Sequence, residues 1–159
     1  MTTLIALALA LIVAAPAAAL AESAPTPSSR GPVQTPAEEE YGKGVRAKRA
    51  KEWSVAVASF KKATELKPDF PEAWNELGYA LRNVGNYPDS VKAYDEALRL
   101  KPRFPEALEY LGEAYVKMGQ VEEARKVLER LKPMDRKRAQ ELADEIGRAS
   151  CRERVWIPV

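Results

Sequence analysis

The chain of 159 residues contains no histidine and a single cysteine. Without an imidazole there is no Ser-His or Cys-His nucleophile, no imidazole base and no His-ligated zinc. One thiol allows neither an internal disulfide nor a Cys-only zinc site. Excess charge is also lacking. Lys and Arg number 25 against 23 Asp and Glu, a formal net of +2, too small to make nucleic acid or an acidic membrane a natural partner. There is no Walker loop and no glycine-rich dinucleotide fingerprint. A carboxylate-dependent enzyme is the catalytic alternative, but the densest acidic run, Glu38-Glu39-Glu40, has the character of a helix start. The expectation is a protein that is not an enzyme and takes no cofactor or metal.

What is present is distributed unevenly. Residues 1–21, MTTLIALALALIVAAPAAALA, carry no charged side chain. An apolar run over 4–15, a break at Pro16 and the small-x-small pattern Ala19-Leu20-Ala21 predict a signal peptide cut after Ala21. The product is then exported, periplasmic or secreted. If the segment stays uncut, residues 4–20 are just long enough for a membrane anchor, and the chain becomes an anchored assembly scaffold. Residues 22–36 hold four Pro and three Ser with no apolar periodicity and predict an extended linker. At the other end, residues 145–155, EIGRASCRERV, resemble the translation of a common short-read sequencing adapter. Residues 145–159 are therefore expected to be a non-native tail, and the lone Cys151 falls inside it.

Between these ends the sequence repeats. Phe104-Pro105-Glu106-Ala107 repeats Phe70-Pro71-Glu72-Ala73 at an offset of 34. Gly44, Gly78 and Gly112 share that spacing, as do Leu66-Lys67-Pro68 and Leu100-Lys101-Pro102. A fixed period of this size means stacked structural units. In the middle copy Trp74, Leu77, Gly78 and Leu81 form one helical stripe, Gly85-Asn86 breaks it, and Val91, Tyr94, Ala97 and Leu98 form a second. The predicted helix pairs are 37–50 with 53–66, 71–84 with 87–100, and 105–118 with 121–132. Asp135 is placed to cap a last helix over 134–144, with Ala139, Leu142 and Ala143 on its apolar face. Trp74 is expected in the core, and Lys51, standing where a helix-breaking Gly belongs, in a strained turn.

This pattern resembles the tetratricopeptide repeat: Trp74-x-x-Leu77-Gly78, Gly85, Ser90, Tyr94, Ala97 and Pro102 fall in register. The likeness covers three copies, 37–70, 71–104 and 105–133, and suggests a bacterial, exported member of the family. It implies an all-α solenoid of three helix-turn-helix repeats plus a C-terminal capping helix. It also implies a scaffold or adaptor that binds a peptide segment of another protein in the concave groove, with no nucleic acid and no small-molecule cofactor. Groove residues implied by register are Tyr41 and Val45 with Lys48; Asn75, Glu76, Tyr79 and Arg82; and Glu109, Tyr110 and Glu113 with Val116. Glu38, Glu72 and Glu106 sit at the helix mouths. Some members clamp a C-terminal carboxylate with Lys, Asn and Arg; the matching positions here are Tyr41, Val45, Glu76, Glu106 and Tyr110, and none fits. The basic run 46–51 lacks interleaved aromatics and is expected to be a solvated face.

Overall fold

Each first helix opens at a proline, because the fixed φ of Pro suits the first helical position, where no amide donor is needed. Pro36, Pro71 and Pro105 stand there. Thr35 precedes the first of them. Its Oγ1 accepts from the Glu38 amide, and Glu38 Oε2 accepts from the Thr35 amide at 2.8 Å, closing a reciprocal cap. The computed structural model describes residues 34–155, with side chains as far as Cys151. The signal-peptide expectation and most of the expected linker therefore lie outside the described residues.

Among the described residues there are seven helices and no strand. They are α1 (Pro36–Arg49), α2 (Trp53–Leu66), α3 (Pro71–Asn83), α4 (Tyr87–Leu100), α5 (Pro105–Lys117), α6 (Val121–Leu131) and α7 (Arg136–Val155). Each packs on its neighbours in sequence, and α7 packs on both α5 and α6. The fold is the expected helical-repeat solenoid with a capping helix. Several predicted ends overrun by one residue: Ala50, Val84, Met118 and Lys132 are caps beyond the helices, not members of them. The linker also yields to α1 one residue early, at Pro36.

The three turns inside the repeats are built alike. Amides of Glu52, Asn86 and Gln120 each donate, at 2.9 Å, to the carbonyl five residues back, on Ala47, Leu81 and Tyr115. That closure needs a left-handed residue just before the donor. Gly85 and Gly119 supply it at φ 83° and 73°, but the first repeat must force Lys51 to φ 60°.

Helix crossings are equivalent in two repeats and different in the third. A Cβ built at Gly44 would lie 2.6 Å from the Phe60 ring, and one at Gly78 would lie 2.7 Å from the Tyr94 ring. In both, the aromatic of the second helix lies on the glycine of the first. Leu128 holds the corresponding place in α6, and Gly112 is covered instead by Leu142 of α7, 2.5 Å from a notional Cβ. The three glycines, equivalent in sequence, are therefore not equivalent in the stack: the third repeat is completed by the capping helix. That helix is capped as expected, the Arg138 amide donating to Asp135 Oδ1 at 3.0 Å. It runs past the boundary set at 144, however, and Ile146 is buried in the same cluster as Leu142. Trp74 is half-buried, not enclosed; it bridges the two hydrophobic clusters and its Nε1 donates to the Pro68 carbonyl at 2.8 Å.

Candidate functional site

The first helices of the pairs are linked in series: α3 packs directly on α5, and Lys48 of α1 reaches Glu76 of α3. They form the inner side of the stack, on which the side chains implied by register are brought together. Aromatic rings supply its surface. Tyr41 lies against Phe60 and Phe70, with ring centres 5.6 and 5.0 Å apart. Tyr79 meets Trp53 edge-on at 6.0 Å and Tyr110 at 5.2 Å. Tyr110 also sits 6.2 Å from the buried ring of Tyr94. Trp53 opens α2 and was not among the residues implied by register; the Tyr79 contact is what joins it to this face.

A row of cations and carboxylates crosses the same side, each pair linking successive first helices. Lys48 Nζ is 2.5 Å from Glu76 Oε2 and 5.3 Å from the centre of the Tyr79 ring. Arg82 pairs with Glu113 while its guanidinium lies 5.2 Å from the Tyr79 ring centre and 5.1 Å from that of Tyr110. A planar cation held between two ring faces and a carboxylate has few rotamers left to lose on binding. At the far end Arg138 of α7 pairs with Glu109, and it approaches Glu106 at 4.0 Å and Asp135 at 3.3 Å.

Two residues assigned to the open groove are not in it. Asn75 is 2% exposed, and its Oδ1 has no hydrogen-bond partner among the described residues. Glu109 is 5% exposed beneath Arg138. Both stand at the same register position of their helices, one that turns into the packing between pairs instead of toward the lumen. Val45 is half-buried against the first-repeat cluster. The helix mouths are also engaged: Glu38 closes the cap with Thr35, and Glu72 accepts from Lys101 at 3.1 Å. The open inner surface therefore consists chiefly of Tyr41, Glu76, Tyr79, Arg82, Tyr110 and Glu113.

Burial decides the protonation of this surface. The Tyr41 hydroxyl is pushed up to about 12, first by desolvation and then by the carboxylates of Glu76, Glu72 and Glu106. Tyr110 is raised chiefly by burial, with Glu106 and Glu109 adding to it. Burial also raises Glu109, against the opposing pull of Arg138. The phenols of Tyr41 and Tyr110 therefore stay protonated donors well into the alkaline range, suited to hydrogen bonding a carbonyl or carboxylate. Each inner carboxylate already faces a cation, so the surface offers aromatic area and neutral polar contacts more than net charge. No helix of the described residues is long and apolar enough to cross a membrane.

Residues 77–140 match a family described as tetratricopeptide repeat, and residues 50–85 match one described as TPR repeat. No curated protein matches the chain in sequence. Among solved structures, the TPR2B domain of yeast Sti1 in its pHsp70 complex superposes with a TM-score of 0.68 at 19% identity, over 73% of this chain and 97% of that one. The first TPR of Spaghetti (RPAP3) bound to an HSP90 peptide gives a TM-score of 0.68 at 19% identity, over 72% and 93%. The Yersinia enterocolitica type III secretion chaperone SycD, in complex with a peptide of the translocator YopD, gives 0.66 at 13% identity, over 73% and 93%. At such identities the likeness is one of fold.

Proposed function

Residues 50–140 are tetratricopeptide repeats, and from that premise we propose that the chain is a non-catalytic interaction module that holds a peptide segment of a partner protein along α1, α3 and α5. The observation that carries this reading is the preset cluster of Tyr79, Arg82, Tyr110 and Glu113 at the centre of the inner side. Rigid aromatics give contact area at small entropic cost, and a guanidinium fixed between them discriminates by charge and plane. Three structural neighbours are complexes, one with pHsp70, one with an HSP90 peptide and one with a peptide of YopD, which supports peptide holding as the use of this fold.

The recognised segment differs from a C-terminal carboxylate held by a ring of free cations. Tyr41, Val45, Glu76, Glu106 and Tyr110 occupy the relevant positions, and the cations nearby are committed to Glu76, Glu113 and Glu109. The partner segment on this reading is internal, close to neutral, and contributes apolar or aromatic side chains. The uncharged leader at 1–21 supports an exported setting, periplasmic or secreted, and N-terminal sequencing of the released protein should begin at Glu22.

The test is capture of partners by the full chain from an envelope fraction, beside a Tyr79→Ala/Arg82→Ala variant whose helicity and melting are checked first. The proposal expects partners recovered by the native chain to fall at least tenfold with a variant that still folds. Equal recovery by both removes the groove from the account.

A further inference from the structure

The inner surface is one-sided in its hydrogen bonding. Trp74 gives its indole proton to the Pro68 carbonyl at 2.8 Å, but the Trp53 indole meets no acceptor among the described residues. The hydroxyls of Tyr41, Tyr79 and Tyr110 likewise make no hydrogen bond there. All four side chains are half-buried, and burial keeps the phenols of Tyr41 and Tyr110 protonated. Lys48 and Arg82 carry N–H groups beyond those that meet Glu76 and Glu113. The acceptors beside them, Glu76 and Glu113, already face those cations. The surface has donors to give and few uncommitted acceptors to offer.

Its apolar area is ring surface laid out in a row. Trp53 of α2, Tyr79 of α3 and Tyr110 of α5 follow one another at 6.0 and 5.2 Å between ring centres. That row is about as long as one turn of polyproline II, roughly 9 Å at about 3.1 Å per residue. Different backbones would leave different groups unmet on it. An α-helix spends its carbonyls internally, so the four donors gain nothing from its backbone. A strand offers amides as often as carbonyls, and those amides need acceptors that are already committed here. A proline-rich segment has exposed carbonyls, few amides, and prolyl rings that pack on aromatic side chains.

We infer that the segment held on this surface is a proline-rich stretch of a partner protein in the polyproline II conformation. Its carbonyls take the protons of the Trp53 indole and the tyrosine hydroxyls, and its prolyl rings seat between Trp53, Tyr79 and Tyr110. The inference rests on the groove reading above and names its partner. Three features select that occupant: unbonded donors, carboxylates already engaged, and a ring row of about one helical pitch. Trp53, which register did not bring to the groove, becomes a specificity-determining residue. A segment already extended before it binds loses little freedom on docking, so few of these contacts are offset by ordering.

The test uses the full chain and, as probe, a fluorescein-labelled amidated peptide of four Ala-Pro-Pro units. Beside it are its all-D enantiomer, identical in composition but opposite in hand, and a neutral helical peptide of the same length made of Ala, Gln and Leu. By anisotropy the L peptide should bind at least tenfold tighter than either. Trp53→Phe keeps a ring but no indole proton and should weaken the L peptide at least threefold with helicity retained. Tyr110→Phe, which loses only a hydroxyl, should do the same if Trp53→Phe misfolds. Val55→Ser, at an exposed outer residue, should change nothing. Equal binding of the enantiomers, equal or tighter binding of the helical peptide, or undiminished binding by the folded Phe variants overturns the inference. If the enantiomers bind equally while partner capture still falls with Tyr79→Ala/Arg82→Ala, the groove stands and its proline-rich occupant is removed. A dimer in sedimentation that Tyr79→Ala/Arg82→Ala dissolves overturns it as well, a second copy being then the occupant. So does L-peptide binding that appears only once Pro25, Pro27 and Pro32 are replaced by Ala, since the chain's own proline-rich stretch is then the competitor.

Discussion

Alanine placed at different helical glycines should act with opposite signs, and the difference tests the packing scheme directly. At Gly147 a new Cβ meets nothing within 4 Å. The gain there is the intrinsic helix preference of Ala over Gly, about 1 kcal/mol. At Gly78 the same methyl lies 2.7, 2.8 and 2.9 Å from three atoms of the Tyr94 ring, well inside contact. Tyr94 is fully buried, with no solvent into which its ring can retreat. Overpacking of this kind costs about 1–3 kcal/mol. The helix-preference gain is common to both sites, so Gly78→Ala should fall below Gly147→Ala by about 1–3 kcal/mol, or roughly 4–12 °C in melting temperature at about 4 °C per kcal/mol. Tyr94→Leu should absorb part of that penalty in a double-mutant cycle, because the two sites touch. Circular dichroism melts of the four proteins and the parent suffice. If Gly78→Ala melts at or above Gly147→Ala, the close approach of α3 and α4 over that glycine is wrong.

Lys51→Gly should raise the melting temperature by a few degrees, since it relieves a left-handed residue costing about 1–2 kcal/mol and gives back part of it as unfolded-chain freedom; an unchanged or lower value would falsify the strained-corner reading. Arg138→Met leaves Glu109, whose side chain is 7% exposed, without its cation, and should cost about 2 kcal/mol near pH 8, less than a fully buried pair because Arg138 is partly open to water. Burial already raises the Glu109 carboxyl; without Arg138 it rises further, so the penalty should shrink on acidification through that raised value, and Glu109→Gln should relieve it at all pH. Tyr41 ionises at about 12 in the folded chain and near 10 when unfolded. Its contribution is therefore complete below about pH 10 and lost as pH rises toward 12. Urea unfolding of Tyr41→Phe against the native chain should show a shallower alkaline decline, and parallel declines refute the assignment.

Much of this architecture is legible in the sequence because helical stripes and their breaks are local. Pro71 and Pro105 start helices, Gly85 and Gly119 turn corners, and the period fixes which residues are equivalent. The strain at Lys51 follows from the same register, since a corner needing a left-handed residue was given one with a side chain. What register cannot supply is the tilt of one pair on the next. Asn75 and Glu109 share a helix position that looks inward on a single helix, yet the neighbouring pair closes over it. The shortened third repeat departs from register for a related reason: with α6 ending at Leu131, α7 packs where Leu142 covers Gly112 and Arg138 covers Glu109. Contacts made by a helix outside the repeat period have no counterpart in the preceding copies from which to infer them.

The claim that most depends on experiment is that partners lie along the inner side. A photoreactive p-benzoylphenylalanine at position 79, compared with one at position 55 on an exposed outer residue, asks this directly when the full chain is irradiated in its native compartment. The account predicts covalent adducts to a partner peptide from position 79, lost when Arg82→Ala is added, and none of the same adducts from position 55. Adducts from position 55 alone, or adducts at 79 indifferent to Arg82, would contradict it.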